Sequence, residues 1–390
     1  MYSSWLHSIK NFLKTLVRKV LHCCPIQRNK VVFLNFKGKG YGDSPKYIAE
    51  EIMRRNLPCR MVWLVDDDAE MPDRIKKAER FGMSGFYELS TAKIIINNCK
   101  TNIPTFFKKK RRQFYLQTWH GDFALKFIEK EVEDHLSPSY LENSKADSAV
   151  TDAVVSGSGS FSKIYESAFW LPEKCSILEY GVARNDIYFR EEEFRDELKH
   201  RLGFSRDEKI LLYAPTFRDG GETDCYNLDF ERLRKVLCQS TQADWKIVVR
   251  LHPNISKRAG LFTYGEKIIN GSAYPDQQEL CMVSDVLVTD YSSIMGDFLL
   301  MKKPVFLYVP DLDRYASKDT GRGLREFFYR LPLSFCRDQD ALEERMIHFD
   351  RETFTREVDS FMKTYYLPFD DGHASERIVD LMEQIMHLNG

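Results

Sequence analysis

The chain lacks a strong charge of either sign: 57 Lys and Arg stand against 58 Asp and Glu in 390 residues, a formal net charge of −1. A protein that grips nucleic acid through its phosphates carries a basic excess, so nucleic acid is not an expected partner, and any attraction to an anion must come from local clusters. Paired cysteine spacing is missing too. The nine cysteines are odd in number, scattered, and without a C-x-x-C pair of zinc spacing, which fits a reducing compartment. No apolar run approaches the roughly 20 residues that cross a bilayer. The first residues have neither the continuous apolar core nor the small-residue cleavage site of a signal peptide, and the chain is expected to stay inside the cell. Proline (14) and glycine (20) are not in excess, and 43% of residues are hydrophobic, which excludes a disordered or collagen-like chain.

What is present suits two domains, each with its own core. Short apolar runs alternate with amphipathic stretches: VVFLNF (31–36), MVWLV (61–65), KIIINN (93–98), QFYLQTW (113–119) and DAVVSGS (152–158), then KILLYAP (209–215), KIVVRLHP (246–253), DVLVTDYSS (285–293) and PVFLYVP (304–310). Strands alternating with helices predict an α/β fold of parallel sheets covered on both faces. The pattern divides into a first lobe over 31–185 and a second over 186–370, with a last helix in 371–390 positioned to cross back to the first lobe. Residues 1–24 form a basic amphipathic segment. Its apolar positions Trp5, Leu6, Ile9, Phe12, Leu13, Leu16, Val17, Val20 and Leu21 recur at helical spacing, with Lys10, Lys14, Arg18 and Lys19 mostly opposite. It suits either docking on its own domain or lying in the headgroups of an anionic membrane.

In open parallel sheets ligands bind beyond the carboxyl ends of the strands. Four strands end in polar signatures: TWHGD, APTFRDG, RLHPN and TDYSS. Such a concentration is hard to attribute to packing, and two lobes offering these ends to one another make a cleft. His120 has no nucleophilic Ser or Cys in an elbow beside it and no H-E-x-x-H, so serine hydrolase and zinc protease chemistry are poor readings. Asp122 is near enough in sequence to orient it. His252 follows an apolar strand, with Arg250 two residues before it able to neutralise the same anion. Thr216 and Arg218 offer a hydroxyl and a forked cation suited to phosphate. Ser292 and Ser293 fall where a helix starts, as simple caps or as donors to a phosphate, and Asp290 precedes them. KKKRR (108–112) is a solvated turn or a second attraction for anionic lipid.

In this order and at these separations, TWHG with Lys126 beyond it, YAPTFRD, RLHP, TDYSS with Asp297 following, and KPVFLYVPDLDRY resemble the CDP-glycerol glycerophosphotransferase family of teichoic acid primases and polymerases. The resemblance covers roughly residues 31–325 and implies a GT-B-like pair of Rossmann-type lobes. Its implied reaction moves glycerol phosphate from CDP-glycerol, or a related CDP-alditol, to a hydroxyl of an undecaprenyl-linked saccharide or polymer at the cytoplasmic membrane face. It implies His120 as the base, with Gly121, Lys126 and Lys46 (in YGDSPKY) on the acceptor side. His252 is implied to bind or protonate the donor phosphates, with Thr216, Arg218, Ser292 and Ser293 around the diphosphate and Asp290 and Asp297 structural or donor-contacting. No cofactor is certain; a divalent metal is not required but is left open, since Asp290 could hold one, and oligomeric state is not readable. Where family members often carry Thr-Pro after WHG, this chain has Asp122-Phe123. A nucleotide-sugar glycosyltransferase of GT-B type and a non-catalytic nucleotide-binding scaffold at the membrane are the alternative readings.

Overall fold

The structure is a computed structural model that describes residues 17, 19–123, 125–218, 224–251, 262–317 and 323–387. Most of the amphipathic segment expected over 1–24 lies outside the described residues, and so does His252.

The first lobe holds β1 (Lys30–Leu34), β2 (Arg60–Val65), β3 (Ile75–Glu79), β4 (Ile94–Asn97), β5 (Phe114–Gln117), β6 (Ala153–Val155) and β7 (Ser176–Leu178). Its sheet runs in the order β3-β2-β1-β4-β5-β6-β7, and the strand pairs are parallel. The second lobe holds β8 (Lys209–Tyr213), β9 (Trp245–Val249), β10 (Ile268–Asn270), β11 (Val286–Thr289), β12 (Val305–Tyr308) and β13 (Phe335–Cys336). These form a parallel sheet in the order β10-β9-β8-β11-β12-β13. Both orders are doubly wound, and each reverses direction once: between β1 and β4, and between β8 and β11. The crevice at such a reversal is where loops part and a ligand enters.

The long apolar runs become central strands because helices cover both faces of the sheet, leaving no face for a polar alternation. KVVFL of β1 and VLVT of β11 are buried at every position. The strands that the apolar pattern does not mark are β3, whose IKKAE alternates, and the short β7, β10 and β13. All four lie at sheet edges, each with a single neighbouring strand.

Helix α1 (Asp43–Arg54) follows β1; α2 (Gln277–Val283) and α3 (Ile294–Leu300) flank β11; α4 (Ala374–Met386) ends the described chain. Although it follows the second lobe, α4 crosses back: Ile378, Val379, Met382 and Met386 pack with Val31, Phe33, Ile48 and Ile52 in the first lobe's core. The crossing is reciprocal at Phe123. This first-lobe ring sits in the second lobe's core beside Met295 and Phe298, with centroids 5.0 Å from Phe327 and 5.1 Å from Tyr366. Gly296 on α3 makes room for it, since a Cβ there would fall 2.7 Å from the Phe123 side chain.

Candidate active site in the cleft between the lobes

Because β1, β4 and β5 are neighbours in that order, the residues that leave their carboxyl ends meet. Asn98, just past β4, donates from Nδ2 to the Asn35 side chain past β1 (2.8 Å) and accepts the Phe36 N–H on its own Oδ1 (2.8 Å). Its main-chain carbonyl lies 2.7 Å from Nδ1 of His120, past β5. A carbonyl can only accept, so Nδ1 carries the proton and Nε2 is left with its lone pair. His120 is half-buried. Loss of solvent around the ring, the largest influence, lowers its pKa below the ordinary imidazole value against the opposing Asn98 bond, so the ring is neutral at pH 7. The preceding residue, Trp119, holds φ at +56°, a left-handed conformation that a bulky side chain adopts at a cost and that turns the chain sharply at the histidine. A neutral imidazole with a fixed tautomer is what a general base requires.

Across the cleft from this histidine is the start of α3. A Cβ on Gly121 would come 3.3 Å from Ser293 Oγ, so the absence of a side chain beside the imidazole leaves room for the hydroxyl of the opposite lobe. Ser293 occupies the N-cap position but makes no side-chain capping bond; the simple capping explanation does not apply to it. Among the described residues the Ser292 hydroxyl accepts from the Ile294 N–H at a long 3.5 Å. Further along, Lys126 bridges to Leu324 and its Nζ donates to the Tyr315 hydroxyl (3.2 Å), which places it in the cleft between the lobes.

Other expected contacts turn out to brace the cleft. Asp122 does not orient His120: its carboxylate takes the Tyr366 hydroxyl (2.8 Å) and the Gly157 N–H (3.0 Å). It ties the histidine loop to the chain that crosses back. Lys46, expected on the acceptor side, is engaged across the cleft: α1 carries it into Asp276 (2.5 Å) and Glu279 (3.1 Å) of the second lobe. Burial pulls its pKa down, but Asp276, Glu50 and Glu279 outweigh this and hold it above the usual lysine range. Arg218 is equally committed. It forms a two-pronged pair with Asp311 (2.8 and 3.1 Å) and a further bond to Asp290 (2.8 Å), and lies 5.0 and 4.8 Å from the stacked rings of Tyr291 and Tyr315. Asp290 also accepts the Thr216 N–H (2.8 Å), so this trio fixes the APTFR loop against the end of β11. Thr216 Oγ1 is shielded and has no partner among the described residues. Arg250 holds the carbonyls of Gly271 (3.0 Å) and Tyr274 (2.7 Å). Among the described residues no group of three or more His, Cys, Asp and Glu side chains converges as a metal site needs.

Asp297 stands at the interlobe axis. Burial pushes its carboxyl up to about 6, partly offset by Arg184. Arg184 lies between the lobes, 2.9 Å from Asp43 at the start of α1 and 3.9 Å from Asp297 on α3. Sequence reasoning passed over Arg184, Asn98, Tyr366 and Asp311. The first two had a visible signal: two asparagines ending an apolar strand, and an arginine in the segment between the lobes.

The environment of Asp122 has a measurable consequence. Burial raises its carboxyl to about 7, against the lowering influence of the Tyr366 and Gly157 bonds and of Arg184; the half-buried Asp370 faces the same group. The folded protein therefore holds a proton here that the unfolded chain releases near the ordinary aspartate pKa. Stability falls as pH rises between roughly 4 and 7 and is flat in this respect above. Asp122→Asn is expected to remove that part of the slope in denaturant titrations across this range, and an unchanged slope would locate the proton elsewhere.

Two doubly wound lobes, crevice facing crevice with an imidazole opposite a serine-bearing helix start, give the two-lobed architecture of the GT-B type. The chain belongs to the CDP-glycerol:poly(glycerophosphate) glycerophosphotransferase family, which matches residues 16–384. It is 31% identical over 381 residues to the teichoic acid poly(glycerol phosphate) polymerase of Staphylococcus epidermidis, a match that covers 92% of this chain and 51% of that protein. The chain thus spans about half the length of that relative. To the teichoic acid glycerol-phosphate transferase of Staphylococcus aureus it is 31% identical over 396 residues, covering 95% of this chain and 98% of the other. The wall teichoic acid polymerase TagF, solved as a histidine-to-alanine variant, superimposes with a TM-score of 0.84 at 29% identity, over 99% of this chain and 98% of that one.

Proposed function

We propose that this chain transfers glycerol phosphate from CDP-glycerol to a hydroxyl of a polymer or saccharide acceptor in teichoic acid synthesis, releasing CMP. The observation that carries this reading is the pairing across the cleft: a neutral imidazole with Nε2 unprotonated, next to a glycine whose missing side chain leaves room for the Ser293 hydroxyl, which makes no capping bond. The acceptor O–H gives its proton to His120 Nε2 while its oxygen bonds to the β-phosphorus. The bond from that phosphorus to the bridging oxygen breaks, and CMP leaves with the oxygen. Ser292, Ser293 and the shielded Thr216 hydroxyl donate to the phosphates, and His252 is assigned the leaving-group side. Arg218, Asp290 and Asp311 act by fixing the loop that carries Thr216. Such transfer depends on positioning and on donors aimed at developing charge.

The acceptor is taken to be undecaprenyl-linked, and the chain to work at the cytoplasmic membrane face. Among the described residues no helix is long and apolar enough to cross a membrane. Lys108, Lys109, Lys110, Arg111 and Lys174 line a depression of about 700 Å³ in the first lobe, and Lys110 Nζ holds the carbonyl of Cys24 (2.6 Å). The end of the basic amphipathic segment and the basic run are therefore side by side, as an anionic surface requires. They sit at the amino ends of β4 and β5, opposite to His120. Removing residues 1–24 is expected to lower transfer to a membrane-embedded acceptor far more than to a short soluble one; equal loss on both would mean that the segment only packs on its own domain. The reaction itself is tested with CDP-glycerol labelled in the β-phosphate. Label in the product with release of CMP is expected, whereas label left on the nucleotide would signify transfer of another group.

A further inference from the structure

The loop between β1 and α1, NFKGKGYG (35–42), enters none of the steps above. Its backbone is left-handed at Phe36 (φ +39°), Lys37 (+60°), Gly38 (+91°) and Gly40 (+69°). Non-glycine residues hold such angles only where the surroundings impose them. Here they do: the Phe36 N–H is taken by Asn98, the Lys39 carbonyl by Asn35 (2.8 Å), the Gly40 carbonyl by Trp63 Nε1 (3.1 Å) and the Gly40 N–H by Asp67 (2.9 Å). This framework holds an aromatic ring in the open. Phe36 is 42% exposed, with its ring edge-on to His120 at 5.7 Å. The same Asn98 thus fixes both the imidazole and the ring. Lys37 and Lys39 follow it in the same loop, both exposed and neither ion-paired among the described residues; Lys37 Nζ lies 5.6 Å from the Tyr140 ring. The nearby carboxylates are engaged elsewhere, Asp66 with Arg80 (2.6 Å) and Asp67 with the Gly40 and Ala69 N–H groups.

We propose that Phe36, Lys37 and Lys39 form the acceptor subsite, reading a chain end whose reactive hydroxyl lies one polyol unit from an existing phosphodiester. This rests on His120 as the base. The ring covers the carbon skeleton of the terminal polyol and keeps water from the imidazole, and the two ammonium groups take the phosphate behind it. Nothing in a neutral saccharide end would engage the two cations, so the subsite suits chain extension.

The test uses the full chain, CDP-glycerol and two soluble acceptors of equal length, one an alkyl-linked glycerol phosphate dimer, the other a neutral polyol ether. Wild-type protein is expected to prefer the phosphate-bearing acceptor in kcat/KM. In Lys37→Ala/Lys39→Ala that preference is expected to fall about tenfold, the size of a charge-assisted contact, through KM for the phosphate-bearing acceptor, while Lys37→Arg/Lys39→Arg retains it. Phe36→Ala is expected to lower kcat/KM for both acceptors. An unchanged preference in the double alanine variant, or an equal loss on both acceptors with an unaltered melting midpoint, would overturn the subsite and leave His120 untouched. Wild-type protein that transfers to neither acceptor would overturn the reading of His120 and this proposal with it.

Discussion

His120→Ala is expected to reduce turnover by roughly a hundred- to ten-thousandfold, the range that a positioned general base contributes, while the variant still melts cooperatively and binds CDP-glycerol. The loss should fall on kcat and leave donor affinity alone, because the proposed role of the imidazole is to take the acceptor proton, while the serines at the start of α3 hold the donor phosphates. A second signature separates loss of a base from loss of shape. With the pKa of His120 lowered by the shielding of its ring, the acid limb of the wild-type rate profile should lie below the ordinary imidazole range, since the rate drops as pH falls through that pKa. The residual activity of His120→Ala should lack this limb. Turnover near the wild-type level would remove His120 from the chemistry.

The other large effect concerns stability and comes from a residue that touches no substrate. Arg184 is buried between Asp43 of the first lobe and Asp297 of the second, and its partners hold its pKa above the usual arginine range in spite of burial. Arg184→Leu leaves two carboxylates buried without their counter-ion, which typically costs about 3–5 kcal/mol. The expected result in urea titration is a large drop in midpoint. Adding Asp43→Asn should recover part of the loss, because it removes one of the stranded charges. A change of a few tenths of a kcal/mol in the single variant would mean that water reaches the site and that the lobes are not joined through this arginine.

These two residues mark how far the sequence could be read. The position of His120 past the end of β5 was legible because a histidine after an apolar strand, ahead of glycine, belongs at a strand's carboxyl end, where doubly wound sheets bind ligands. The apolar runs of β1, β2, β4, β5, β8, β9, β11 and β12 were legible for the same physical reason, burial on both faces. Strands β3, β7, β10 and β13 were not, because edge or very short strands need no continuous apolar run. Side-chain roles that depend on the partner from the other lobe were also hidden. Lys46, Arg218 and Arg250 carry the right chemistry for an anion, but Asp276, Asp311 and the Gly271 carbonyl, distant in sequence, already engage them. Asp122 next to His120 invites a catalytic pairing, yet Tyr366, from far along the chain, claims the carboxylate. Local order reveals which residues reach the cleft, and only the crossing of the chain decides which of them are still uncommitted there.

The most direct measurement is a crystal structure of the chain soaked with CDP-glycerol. The expected result places the β-phosphate between Ser293 Oγ and His120 Nε2, within hydrogen-bond reach of the serine and with the imidazole facing the phosphorus. A diphosphate bound out of reach of both side chains would contradict the mechanism.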